Sequence, residues 1–203
     1  MDFDNKTVYI LDSYGLIYRC YYAFISRPMI NSKGQNVSAT FGFFKSLAQI
    51  FKHYKPNYLI AALDSKTPTF RHKMYTEYKA TRDKTPEDLF AQIDVIEEFL
   101  KVLKVPTIRL DGYEADDLIA TFVKKCNDQG HPCRILSADK DLMQLVDENT
   151  QILKPAKDNT GDGWEVIAEN GVKAEWGVEP KRLLDLLSLM GDSADNVPGC
   201  PGI

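Results

Sequence analysis

The sequence predicts an α/β protein with a mostly parallel, twisted sheet flanked by helices. Three observations predict it. Short apolar runs of strand length (VYIL, LIAAL, RIL) alternate with longer segments whose apolar residues recur at helical spacing. Each run stops at or just before an aspartate: Asp12, Asp64 and Asp139. In an open parallel sheet those strand ends share one edge, and ligands bind there.

Thr7–Leu11 reads as a buried strand and Tyr14–Phe24 as the helix that follows it. Ser26–Ser38, with Pro28, Gly34 and several polar residues, reads as a loop. Phe41, Phe44, Leu47, Ala48 and Phe51 recur at helical spacing and predict a helix over Ala39–His53. Pro56 resets the chain for a strand at Tyr58–Leu63. Lys66–Lys84 is rich in cations and poor in aliphatic residues, as expected of a mobile or weakly helical excursion over the sheet edge. Pro86–Leu103 is an amphipathic helix with Pro in its first turn. A short strand (Thr107–Arg109), a helix opening at Glu114 (Glu114–Asp128) and a strand (Cys133–Leu136) follow. Asp139 then caps a short helix reaching about Val146. Ile152 and Leu153 suggest an edge strand, Lys154–Gly163 a loop, and Val166–Trp176 and Pro180–Met190 two helices. The Gly- and Pro-rich tail Gly191–Ile203 carries no further helix.

With 203 residues, 44% apolar and 27% charged, the chain can bury one sizeable core. Four cysteines without a C-x-x-C pair read as reduced thiols, and three histidines show no ligand spacing. No segment has the length and apolarity of a membrane span or leader, so the expected compartment is the cytoplasm. The net charge of −4 does not exclude nucleic acid. Nine acids lie in five clusters: Asp12, Asp64, Glu114-Ala-Asp116-Asp117, Asp139-Lys-Asp141 and Asp192-Ser-Ala-Asp195. Setting them aside leaves 20 acids against 25 Lys and Arg, a mildly basic remainder.

Taken singly, each acid has a bland explanation as a helix cap or turn residue. Three acids in one helical turn, at 114–117, exceed what capping needs. Together the clusters call for compensation, because like charges do not crowd together ionised. Oxygen-only donors select Mg²⁺ or Mn²⁺, and two such ions suit phosphodiester hydrolysis. Phosphoryl chemistry also needs positive charge, which Lys79 and Arg82 in the excursion can bring to the phosphate. Tyr78 beside them is an aromatic able to stack a terminal base. Arg71 and Arg19 are further candidate phosphate contacts.

The ordered blocks Asp12-Ser-Tyr-Gly-Leu-Ile-Tyr-Arg19, Phe70-Arg71, Glu77-Tyr-Lys-Ala-Thr-Arg82, Gly112-Tyr-Glu-Ala-Asp-Asp117, Ser137-Ala-Asp-Lys-Asp-Leu-Met-Gln-Leu145 and Met190-Gly-Asp-Ser-Ala-Asp-Asn-Val-Pro-Gly199 resemble the 5′-nuclease (flap endonuclease) family. Within it they are most similar to the N-terminal 5′–3′ exonuclease domains of bacterial DNA polymerases. The resemblance covers essentially the whole chain. It implies a PIN-like α/β core over 1–165, with a helical arch or clamp at about 66–84. Residues 166–203 would begin a helix–hairpin–helix-type element that grips duplex DNA. By resemblance Asp12, Asp64, Glu114, Asp116 and Asp117 form one metal group, and Asp139, Asp141, Asp192 and Asp195 a second. Lys79, Arg82 and Asp116 would carry catalysis, and Gly199 and Gly202 would lie in the DNA-gripping hairpin, with a monovalent cation where that element is complete. The implied activity is two-metal hydrolysis of 5′ ends, flaps or RNA primers to leave 5′-phosphate and 3′-OH. The implied partner is DNA, for a monomer carrying a polymerase domain on the same polypeptide. The hairpin begins at Gly199-Cys-Pro-Gly202 and is expected to continue in a longer protein. Two other readings remain open: a PIN-type ribonuclease, and a DNA-binding fragment of low activity.

Overall fold

The computed structural model describes residues 6–156 and 163–202. Six strands form one sheet in the order β3-β2-β1-β4-β5-β6. They are β1 (Val8–Asp12), β2 (Tyr58–Ala62), β3 (Thr107–Ile108), β4 (Cys133–Leu136), β5 (Thr150–Pro155) and β6 (Trp164–Ile167). All pairings are parallel except β5 with β6. From β1 the chain runs outward one way through β2 and β3, then returns to the other side for β4, β5 and β6. The gap between β1 and β4 is therefore the switch point, where an open sheet offers a crevice.

Alternate residues of each strand feed opposite layers. Tyr9, Leu11, Ala61, Leu136 and Leu153 join helices α1 (Ser13–Ala23), α2 (Ser38–Tyr54) and α4 (Glu87–Val102) on one face. Ile10, Ala62, Ile135, Ile152 and Ile167 join α5 (Ala115–Asp128), the 3-10 turn Asp141–Leu145, α6 (Glu169–Trp176) and α7 (Pro180–Met190) on the other. In α4 the buried Leu89, Ile93, Ile96 and Leu100 follow helical spacing.

Several expectations change. Helix α2 forms where expected but is rotated: Phe43, Leu47 and Ile50 are buried, while Phe41 and Phe51 are exposed. The cause is the close α1–α2 crossing at Gly42, where a Cβ would stand 2.7 Å from that of Cys20. The predicted helix Val166–Trp176 loses its start to β6, where Trp164 and Ile167 are buried; α6 begins at Glu169, after extended Ala168. The strand at Ile152–Leu153 is consequently interior, its antiparallel partner forming the edge. That strand crosses the boundary expected at 165, and Val172 and Leu183 pack into the same core as the sheet. Of the predicted loop Lys154–Gly163, Lys154 and Pro155 belong to β5 and residues 157–162 lie outside the described residues.

The excursion after β2 contains one five-residue helix, α3 (Phe70–Met74), then turns as far as α4. It lies over the carboxyl edge as a strap. Among the described residues no helix is long and apolar enough to cross a membrane.

Candidate functional site

Eight of the nine acids line one cavity of about 680 Å³ at the switch point: Asp12, Asp64, Glu114, Asp116, Asp139, Asp141, Asp192 and Asp195. Asp12 ends β1 and caps α1, its Oδ1 accepting the Gly15 N–H at 3.0 Å. Ser137, directly after β4, donates its hydroxyl to Asp12 Oδ2 at 2.6 Å, so the two central strands meet at this carboxylate. Asp64 follows β2, and its Oδ1 accepts the Ala115 N–H at 2.8 Å. Arg109 steadies that loop by donating to the Asp64 carbonyl at 2.7 Å while its guanidinium pairs with Glu97 of α4. Asp139 Oδ1 accepts the Asp141 N–H at 2.8 Å, which turns both acids toward the cavity.

The acids divide by their partners. Glu114 takes Lys79 at 2.9 Å, Asp192 takes Lys140 at 2.9 Å and Asp195 takes Arg82. Asp117 binds Arg71 through both oxygens, at 2.7 and 2.8 Å. Asp12, Asp64, Asp116, Asp139 and Asp141 have no basic partner within 4 Å among the described residues. Burial pushes Asp116 up to about 8, with the facing charges of Asp139, Asp12 and Asp64 adding to it. Burial likewise raises Asp12 to about 6, against the Ser137 and Gly15 hydrogen bonds. Asp141 rises to about 6 through burial and Asp139. For Asp192, burial is outweighed by the Lys140 contact and two backbone N–H groups, which hold its pKa below the usual carboxylate range.

This donor set fits a hard divalent cation. It is all oxygen, its unpaired members repel one another, and the buried Asp141 Oδ1 has no hydrogen-bond partner. Among the described residues no three such side chains close into a ready-made cage. An ion such as Mg²⁺, which keeps several waters and takes only a few carboxylates directly, does not require one.

Several predicted residues stand elsewhere. Asp117 turns from the cavity: besides binding Arg71 it accepts the Glu114 N–H at 3.0 Å, so the capping explanation holds for this acid. Arg71 is thereby engaged, its guanidinium held by Asp117. Tyr78 is 7% exposed and not placed to stack a base. Its ring packs edge-on against His72, and its hydroxyl lies 3.0 Å from Glu114 Oε2 and 2.9 Å from Asp195 Oδ2. Lys79 and Arg82 do reach the cavity. Arg19 is exposed on α1, 3.4 Å from the Ala156 carbonyl, and does not line the cavity. Gly199 crosses the end of α7 so closely that a Cβ would lie 2.3 Å from the Met190 oxygen, while Gly202 is exposed at φ +89.

A family model described as the 5′–3′ exonuclease N-terminal resolvase-like domain matches residues 7–177. The chain belongs to this 5′–3′ exonuclease family. It is 51% identical over 200 residues to DNA polymerase I of Treponema pallidum, covering 98% of this chain and 20% of that protein. It is 41% identical over 198 residues to a 5′–3′ exonuclease of Aquifex aeolicus, covering 98% of this chain and 66% of that one. The chain thus spans a fifth to two thirds of these relatives' lengths. Among solved structures, the 5′-exonuclease of bacteriophage T5 with bound divalent metal ions superposes with a TM-score of 0.72 at 21% identity, over 97% of this chain and 71% of that one. Human GEN1 in complex with Holliday junction DNA gives 0.61 at 15%, over 98% and 47%. At such identities the likeness is one of fold, the PIN-like mostly parallel sheet.

Further residues lining this cavity were not among those expected from the sequence. Gly15 was legible in principle, three residues after a helix-capping Asp. Lys140, between two acids, had a local signal too. Tyr14 and Tyr18, which also line the cavity, looked like ordinary helix aromatics.

Proposed function

We propose that this chain is the catalytic unit of a structure-specific 5′–3′ exonuclease and flap endonuclease of DNA replication and repair. It would act on 5′ ends, flaps or primer junctions and leave 5′-phosphate and 3′-OH, within a longer protein that carries a polymerase domain. The observation that carries the reading is the convergence of eight carboxylates in one cavity with Lys79 and Arg82 at its rim. We assign Asp12, Asp64, Asp116, Asp139 and Asp141 as the principal holders of two Mg²⁺ or Mn²⁺ ions, because these five lack a basic partner. Glu114, Asp192 and Asp195 join once their own cations let go. When bound, such ions lower the pKa of an attacking water and neutralise charge on the leaving oxygen.

The chain's own residues supply the rest. Asp12, fixed by Ser137 and the Gly15 N–H, sets the floor of the site. Lys79 and Arg82, which pair with Glu114 and Asp195 at the cavity, would carry positive charge to the phosphate oxygens in the transition state. In the reading, residues 166–203 begin the element that grips duplex DNA beyond the site.

A 5′-flap duplex incubated with the protein and Mg²⁺ or Mn²⁺ is expected to be cut near the junction, and EDTA is expected to stop it. No cutting at large enzyme excess, or preference for a matched single-stranded RNA, would overturn the reading.

A further inference from the structure

The strap and the turn after α7 meet at two residues of unusual backbone: Lys79 and Asn196, both at φ +57. Left-handed backbone is unfavourable for an ordinary L-residue, and Asn bears it better than most. Around this meeting point the Lys79 N–H donates to the Asp195 carbonyl at 2.9 Å. The Asn196 side-chain amide donates to the Glu77 carbonyl at 2.8 Å. At this point of the strap the Tyr78 hydroxyl and the Lys79 ammonium both reach Glu114.

The turn does not need the Asn196 side chain for its own closure. Asp192 and Val197 exchange both backbone hydrogen bonds at 2.8 Å, and Asp192 Oδ1 accepts the Ala194 and Asp195 N–H groups. The strap, by contrast, has only turns between α3 and α4, with Glu77, Ala80 and Thr81 exposed. Its depth over the site is set from outside.

We propose that Asn196 is a positioning residue: its amide, bonded to the Glu77 carbonyl, pins the strap so that Lys79 points into the carboxylate cavity. The assignment rests on the nuclease reading for its catalytic consequence, and on geometry alone for the tether. It ties the turn bearing Asp192 and Asp195 to the segment bearing Lys79, so both arrive at the site as one unit.

Asn196→Gly separates this role from that of a mere turn residue, because glycine adopts the same backbone freely. If Asn196 served only the turn, the variant would behave as the wild type. With the tether, amide exchange at Lys79 should quicken about tenfold as the strap opens locally. On a 5′-flap substrate with Mg²⁺, kcat should fall about tenfold with KM within about twofold, as for a misaimed catalytic group. In a Lys79→Ala background the same change should cost nothing further, since the two act through one side chain. Exchange at the wild-type rate, or an unchanged kcat, would overturn the assignment. If the wild type itself cuts no flap, the nuclease reading has failed, and exchange alone decides the tether. Should the glycine variant melt well below the wild type, Asn196→Asp repeats the test, because a carboxylate cannot donate to the Glu77 carbonyl.

Discussion

Asp116 sits in the first turn of α5, where a helix N-terminus favours a carboxylate, yet burial and the facing aspartates raise its pKa to about 8. Asp116→Asn should therefore raise the melting temperature of the metal-free protein by about 2–4 °C at pH 9, near 1 kcal/mol for a chain of this size. Flap cleavage should drop by at least about 100-fold, the usual loss for a group that steadies charge in the transition state. Calorimetry in EDTA and a cleavage assay check the pair; a collapsed melting temperature would mean that Asp116 is structural. Its neighbour shows what sequence alone leaves open. Asp116 and Asp117 are adjacent and alike, but a helix turns successive side chains about 100° apart. One faces the cavity and the other faces Arg71, whose arrival from 46 residues away has no local signal.

The first turn of α1 carries a second prediction. Alanine is favoured over glycine inside a helix by about 1 kcal/mol, but at Gly15 a Cβ would stand 2.3 Å from Asp12 Oδ2. The carboxylate is a movable end, so Gly15→Ala should fold with near wild-type stability while Asp12 swings from its place. Cleavage should fall at least about tenfold, a misplacement effect, with little change in melting temperature; full activity would show that Asp12 tolerates displacement. At this scale most elements were legible, because apolar period and Pro or Gly punctuation mark them locally. Strand β6 was not, since Trp164-Glu-Val-Ile167 is short and ambiguous until its partner β5 is known. The face of α2 was missed for a similar reason: the Gly42–Cys20 contact that sets its rotation is tertiary.

Across the whole molecule, the parallel sheet gathers acids from residues 12 to 195 at one edge. That convergence was legible because apolar runs end in aspartates; the pairing of some acids with Lys140, Arg82 and Lys79 was not. The gathered charge makes stability depend on pH. In the unfolded chain these acids lose their protons near pH 4. In the folded chain Asp12 and Asp141 keep theirs to about 6, and Asp116 to about 8. Between those limits the folded state binds more protons, so the metal-free melting temperature should fall as pH rises from 4 to 8. Added Mg²⁺ should raise it more at pH 8 than at pH 5, and a flat profile would contradict the charge crowding. The most direct test of the account is anomalous scattering from a crystal soaked in Mn²⁺. Two peaks about 3.5–4 Å apart, within reach of Asp12, Asp64, Asp116, Asp139 and Asp141, are the predicted result. A soaked crystal with no manganese in this cavity, or with its ions held elsewhere, would contradict it.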